Sequence, residues 1–454
     1  MRFMGSAILF VLCTVIYAPG YLWAQQEGSA SGWENRNISR SGQVDSKAGE
    51  KSNGAVTLAE CVAIALKNRP ELKAERAQVQ ASSAQIQEAK SAYFPSLSVN
   101  AGYERQKYGY NPKGGVRPQG TPRNDWVLGS SLNWSLSGMM ATTGRVRAAG
   151  AKYRSVKEAV KAVKRQVVLD VVHAYYKVLE MKKYVALLGA TLERARIHLK
   201  YAQRLLEVGK GSKADVLRAE VEMARTRLEM TKARSSHRQA LAGLKTAMGI
   251  SLEKDVTLKG VELKVPEKVF RSVAGEKRPE QESRVHLFKS YKHLKEAASN
   301  DFWPDLKLYG GMELHEDNFF PRETNWFVGV SLEIPVFSYY GKTARWRLAR
   351  AQMHEAKARV SEVDAKLALE KKSAFLQLQE AKEALKAARA LEASAKKNLE
   401  FDEKSYREGA GSMVALADGR AAYFSAKAEV IRAVFNAFVK GADYRHAAGK
   451  DVTP

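Results

Sequence analysis

Apolar residues recur along this chain with two different periods, in alternating blocks. Within the stretch from Gly138 to Gly249, Leu188, Leu192, Ala195, Leu199, Ala202 and Leu206 step by four and three in turn, the pattern of a coiled-coil seam. Past the turn from Glu207 to Asp215, Leu217, Val221, Ala224, Leu228 and Thr231 step the same way, so the spacing predicts an antiparallel helical hairpin. Between Thr142 and Val208 there is no Pro and only three Gly. About 67 residues at 1.5 Å each make a rod of roughly 100 Å, longer than any ordinary globular domain needs.

Upstream the period falls to two. Leu97, Val99, Ala101 and Tyr103 alternate with Ser98, Asn100, Gly102 and Glu104, and Trp126, Leu128, Leu132, Trp134 and Leu136 alternate with small or polar residues. Between these two strands, Gly109 to Asn124 holds Pro112, Pro118 and Pro122 and reads as an exposed loop. Before them, Thr57 and Glu60 are spaced as a capping box opening a short helix, and Pro70 suits the first turn of the next helix, which runs to Ala92.

The whole arrangement occurs twice. Phe94-Pro95-Ser96-Leu97 returns as Trp303-Pro304-Asp305-Leu306, and the turn at Gly209 returns as Arg407-Glu408-Gly409-Ala410-Gly411-Ser412. Ala417, Ala421, Phe424, Ala428, Ile431, Phe435 and Phe438 keep the phase of Leu217 to Thr231 at an offset of 200 residues, a tandem duplication. Leu306, Leu308, Met312 and Leu314 form the apolar face of a third strand; Trp326, Val328, Val330, Leu332, Ile334 and Val336 form that of a fourth, after a loop around Asp317 to Thr324. The predicted organisation is a first copy over 56–255, with a β-hairpin at 94–137 and a long helical hairpin at 142–250. A connector at 256–277 leads to a second copy over 278–450, with a β-hairpin at 303–337 and a helical hairpin at 341–448.

Composition then narrows the compartment. Residues 1–24 have a basic start at Arg2, an apolar run from Ala7 to Ala18 and Ala24 before a cleavage point, the form of a secretory signal peptide. Residues 25–55 are Ser-, Gly- and charge-rich and read as a flexible leader. Of the two cysteines, Cys13 falls in the signal, which leaves Cys61 as a packing thiol without a disulfide partner. No other apolar run reaches the roughly 18 residues of a membrane helix, so a membrane-spanning chain would have to cross as β-strands.

A net charge of +25 raises the question of nucleic acid. The basic residues are instead spread along the helices among Glu, and the export signal removes the chain from nucleic acid. From Arg145 to Lys254, 25 Lys and Arg face 10 Asp and Glu, about +15 on one hairpin. Either a solvated helix face or a basic lumen accounts for it.

Alternation by itself also fits a soluble sandwich. The strands, however, have the 9 to 11 residues of a membrane span, and Tyr93, Phe94, Trp126, Trp303 and Trp326 sit near strand ends like an interfacial girdle. Four strands cannot close a barrel, for which about eight are the practical minimum, so several chains must share one.

Thr57-Leu58-Ala59-Glu60 through Asn68-Arg69-Pro70, Phe94-Pro95-Ser96-Leu97, Val328-Gly329-Val330-Ser331-Leu332-Glu333-Ile334-Pro335 and the two Gly-x-x-Ser turns, in this order, resemble the TolC-type outer membrane efflux proteins over Thr57 to Ala448. The resemblance implies a mainly α fold with a small β part: long antiparallel helical hairpins forming an α-barrel, and four transmembrane strands per protomer in a shared trimeric 12-stranded barrel. It further implies an outer membrane exit duct with a large periplasmic part in a tripartite efflux or type I secretion system. Its partners would be two further copies, a periplasmic adaptor protein, an RND- or ABC-type inner-membrane pump and outer membrane lipid. On that basis Gly209, Gly211, Ser212, Gly409, Gly411 and Ser412 are the tip turns and adaptor contacts. Asp215 and Tyr406 would bond across hairpins to hold the tip shut, while Asp418 would form an anionic ring at the entrance. Ala415 and Gly411 depart from relatives that carry an acid and a bulkier polar residue there.

A structural exported coiled-coil protein or adhesin is the competing reading. It has no use for four span-length strands. No His-x-x-x-His or His-Glu-x-x-His spacing is present, and Gly209 to Lys213 lacks the context of a phosphate loop, so neither an enzyme, a cofactor nor a metal site is expected.

Overall fold

The structure is a computed structural model. It describes residues 56–106, 123–209, 211–260, 263, 265–271, 275–316, 323–334, 340–408 and 410–452. The expected signal peptide and leader, most of the expected loops from Gly109 to Asn124 and from Asp317 to Thr324, and Val336 lie outside the described residues.

Helix α1, Leu58–Asn68, opens on the expected box: Thr57 Oγ1 accepts from the Glu60 amide, and the Glu60 carboxylate accepts from the Thr57 amide at 2.7 Å. It stops at Arg69, which is extended because Pro70 disfavours a helical residue before it. Helix α2 follows as Pro70–Ser91, then strands β1, Ser96–Gln106, and β2, Arg123–Ser135. Helix α3 runs unbroken over Met139–Glu207 and α4 returns over Lys213–Met248. The same series recurs as α5, Pro279–Asn300, β3, Asp305–Glu316, β4, Glu323–Glu333, α6, Gly341–Arg407, and α7, Met413–Ala447. The connector is not wholly irregular. A bridge from Val56 to Leu258 and a 3-10 turn over Glu267–Phe270 pin it to the helices.

The four strands form one antiparallel sheet in the order β1-β2-β3-β4, so the two copies meet at the β2–β3 ladder. Its register stacks apolar on apolar: Leu97 opposes Leu132, Tyr103 opposes Trp126, Leu128 opposes Leu314, and Met312 opposes Trp326. One face is therefore mainly apolar across all four strands, interrupted by Ser130 and Gly310 and, toward the loop end, by Glu316 and Thr324, because side chains alternate with period two. On the other face stand Ser98, Asn100, Ser131, Lys307 and Glu333. Strand β2 begins at Arg123, earlier than the proline-rich segment suggested, because pairing with Gln106 extends the ladder.

Among the helices, the packing corrects one expectation. The stripe Leu217, Val221, Ala224, Leu228 is not the seam that α4 turns toward α3: Leu217, Val221 and Leu228 are more than half exposed. Buried instead are Ala219, Thr226, Met230 and Ala233, with Met230 and Ala233 against Leu188 of α3. Two hundred positions on, Gly419, Ala426, Val430 and Ala433 of α7 are buried in the same phase, and Val430 and Ala433 meet Ala388 of α6. Each hairpin thus closes on small residues, which let the rods approach.

The stripe that sequence singled out on α7 has a different partner. Phe424 packs near Tyr184, and Phe435 and Phe438 pack on Tyr176, the last pair stacked at 5.0 Å, so this stripe seats α7 on α3 of the other hairpin. A 2.6 Å bond between His173 Nε2 and Asp443 Oδ1 fastens the same pair of helices. This inter-hairpin seam is part of the largest core, with Leu72, Val167, Val171, Leu244 and Met248. Cys61 is also in it, its thiol pushed up to about 11 by burial.

Phe435 is 2% exposed at the centre of that seam. Replacing it by Ala leaves a cavity under Tyr176 and should cost about 3–5 kcal/mol, read as a lowered thermal midpoint of helical circular dichroism.

Candidate gate at the helical tips

The two hairpin turns share their Gly-Ser spacing. At the first, Gly209 takes φ +71°, a left-handed conformation open to glycine at no Cβ penalty, and the Gly209 amide reaches back to Leu206 O at 3.1 Å. Gly409, its counterpart, lies outside the described residues. At the second turn, Ala410 N and Gly411 N both donate to Ser405 O at 3.0 Å.

Gly211 and Gly411 serve another need. A Cβ on Gly211 would lie 2.9 Å from Leu206 N, and one on Gly411 would lie 2.9 Å from Tyr406 N. Both residues are glycine because the chain folds back onto the last turn of the outgoing helix. Ser212 and Ser412 then cap the return helices, Ser212 Oγ accepting from Ala214 N and Ser412 Oγ from Ala415 N, each at 3.1 Å.

The three expected gate residues are placed unequally. Asp215 stands in the first turn of α4, where a carboxylate suits the helix dipole, and its Oδ1 accepts from Arg218 Nη1 at 3.2 Å. Tyr406, half-buried near the end of α6, is within electrostatic range of it: burial first, then the Asp215 charge, pushes the phenol's pKa up. Among the described residues of one chain no hydrogen bond joins the two. Asp418 is exposed on α7, beyond its first turn.

Sequence reasoning missed the group between them. Arg420, on α7, is largely buried, with Nη2 3.8 Å from Glu403 Oε1 of α6 and Nη1 buried without a hydrogen bond among the described residues. Burial lowers its pKa, opposed by the charges of Glu222 on α4, Glu403 and Tyr406. His198 of α3 lies against the same cation; burial and then Arg420 depress its pKa to about 4. One side chain therefore touches the electrostatics of all four tip helices. The available signal was Gly419. A Cβ there would strike Asp402 Oδ2 of α6, so the Asp402 side chain occupies the space beside Gly419, the residue next to Arg420.

Among the described residues, no three His, Cys, Asp or Glu converge as metal ligands, and no helix is long and apolar enough to cross a membrane.

The sequence pattern described as outer membrane efflux protein matches residues 62–250 and 288–436, most of both copies. The chain belongs to that family. Protein CyaE of Bordetella pertussis is 30% identical over 195 residues, 43% of this chain, and the chain spans only 40% of that relative's length. Outer membrane efflux protein BepC of Brucella suis is 23% identical over 344 residues, 73% of this chain and 72% of BepC. The outer-membrane channel OprN superposes with a TM-score of 0.77 at 19% identity, covering 87% of this chain and 91% of that one, which establishes the fold. As a member of the efflux protein family, the chain is an outer membrane efflux channel, with the fold of a channel and not of an enzyme. The tandem duplication belongs to that fold.

The His198 environment sets a pH window. The unfolded chain binds the imidazole proton near the ordinary value of 6.5 and the folded chain only near 4, so between these the unfolded state holds more protons. Stability is complete above about 6.5 and falls as pH drops toward 4. Thermal midpoints measured from pH 7 to 4 should fall more steeply for the parent than for His198→Asn.

Proposed function

We propose that three copies of this chain close into one ring, a twelve-stranded outer membrane barrel continued by a periplasmic helical tunnel. It serves as the exit duct of a tripartite efflux or type I secretion system, with an adaptor and an inner-membrane pump docking at the tips. The observation that carries the reading is a mismatch between the two copies. Leu169 and Tyr176 of α3 are 8% and 6% exposed under α7, while Leu369 and Leu376, their counterparts on α6, are 70% and 50% exposed. On α4, the counterpart of α7, the stripe Leu217, Val221 and Leu228 is exposed too. The packing that seats α7 on α3 within a chain has an empty equivalent, α4 of one chain on α6 of the next. Such a head-to-tail contact repeats until it closes.

The strands favour the same arrangement. The edges β1 and β4 are unpaired within the chain, and in hydrocarbon an open edge costs several kcal/mol per unsatisfied backbone group. Twelve strands exceed the about eight that a barrel needs. The apolar sheet face would then meet lipid, and the expected loops from Gly109 to Asn124 and from Asp317 to Thr324 would face the cell exterior, opposite the tips.

Leu376→Asp and Leu228→Asp should each abolish a heat-sensitive trimer on gels while preserving helical circular dichroism. Parent protein recovered from the aqueous periplasmic fraction without detergent would instead favour a coiled-coil spacer.

At the tips, Gly209, Gly211, Ser212, Gly409, Gly411 and Ser412 form the turns that an adaptor grips, Asp215 and Tyr406 hold the closed state, and Asp418 from three chains makes an anionic entrance ring. Tyr406→Phe should raise single-channel conductance, and Asp418→Ala should weaken block by a multivalent cation such as hexamminecobalt added from the tip side. Parent-like conductance and block in both variants would exclude these roles.

A further inference from the structure

On the polar face of the sheet, which the duct reading turns toward the pore, two aromatic side chains stand among small and polar ones. Tyr309 of β3 and Phe327 of β4 are 38% and 40% exposed, with ring centroids 6.3 Å apart and planes at 48°. Each ring leans across the β3–β4 ladder onto the glycine opposite it. Tyr309 opposes Gly329, where a Cβ would lie 2.5 Å from Tyr309 Cζ; Phe327 opposes Gly311, where a Cβ would lie 2.7 Å from Phe327 Cζ. The rings therefore lie over bare backbone, on the side of β4 away from its open edge, and much of each is left to water. Asn133 and Ser131 on β2 and Ser331 on β4 are their neighbours on that face.

Covering a glycine does not by itself call for an aromatic ring, and the first copy carries the comparison. There Asn100 opposes Gly129 and Gly102 opposes Val127, the same register with the same two glycines. A Cβ on Gly129 would lie 2.9 Å from Asn100 Nδ2, so an amide covers that glycine as Tyr309 covers Gly329. The ladder thus forms with Asn and Val at these two positions. What Tyr309 and Phe327 add is aromatic surface, held in a fixed orientation and shown to water on a face that is otherwise polar.

We propose that Tyr309 and Phe327 form a contact in the barrel lumen for cargo that carries a planar aromatic ring, one platform from each copy, separated by the polar sectors of β1 and β2. The inference rests on the duct reading above. A flat ring in passage stacks on the uncovered aromatic surface in the offset or tilted geometry that such pairs favour, and both surfaces shed water. The platform is only one ring deep, so a molecule held there can leave again, as passage through a channel requires. Aliphatic molecules of similar charge and size find no such partner.

The experiment is single-channel recording on full-length trimers in planar bilayers, with ethidium as the aromatic probe and tetrapropylammonium as an aliphatic cation. Ethidium should interrupt the parent's current in longer events than tetrapropylammonium does. Tyr309→Asn and Phe327→Val place in the second copy what the first already carries, so the strands should still pair. Each should shorten ethidium events by roughly threefold or more and leave tetrapropylammonium events unchanged. The converse pair, Asn100→Tyr with Val127→Phe, should lengthen ethidium events in the folded trimer. Parent-like ethidium events in both single variants overturn the inference, and so does a folded converse variant that holds ethidium no longer. Events of both probes shortened alike overturn it too, because rings that only narrow the pore would act on either cation. A parent that conducts without any ethidium event sinks the contact and leaves the duct standing; a parent that forms no channel sinks both.

Discussion

A strand edge in hydrocarbon has nowhere to place its hydrogen bonds, and this constraint governs the rest of the molecule. The four strands pair antiparallel in sequence order and leave β1 and β4 open. Their register sets one apolar face across the whole sheet, so the sheet has a lipid side before it has a complete barrel. A chain built this way is unfinished by itself. The helices below inherit the same geometry, because each strand pair feeds one helical hairpin and the two hairpins are copies.

Duplication explains why one sequence pattern carries two kinds of contact. The return helices share a phase, but the α7 stripe carries Phe424, Ile431, Phe435 and Phe438 where α4 has Ala224, Thr231, Ser235 and Arg238. The seam made within a chain forms during folding and can be as apolar as a core. Its equivalent on α4 and α6 is open to water in the single chain, and a less apolar surface there limits wrong associations. Small residues at the intra-hairpin faces, Ala219 and Ala233 in one copy and Gly419 and Ala433 in the other, set how closely the rods lie in both.

Charge is distributed by the same logic. Along the rods, basic side chains remain hydrated and form exposed pairs such as Arg359 with Glu362, which solvent screens and which add little to stability. Arg69, Arg278 and Arg420 are largely buried among the described residues. Arg278 is held by Glu280 and Glu370 beside Arg165 near the chain's C-terminal end, where burial is repaid by close acids at 3.0 Å. Arg420 at the tip stands farther from its acid, 3.8 Å from Glu403.

Sequence by itself determined the periods and their order: which blocks are rods, which are strands, that both occur twice, and where Gly209 and Ser212 turn the chain. These depend on local preferences and side-chain spacing, which a single chain states openly. Only the tertiary structure decided which helix each stripe meets. A four-three pattern specifies a face and not its partner, so Leu217, Val221 and Leu228 read as an internal seam although the hairpin closes on Met230 together with Ala219, Thr226 and Ala233, whose small or polar side chains give little hydrophobic signal. Arg420 was hard to see for the same reason: among 74 Lys and Arg, the neighbouring Gly419 is its local mark, while its burial arises from helices far apart in the chain, with His198 on α3 and Glu222 on α4.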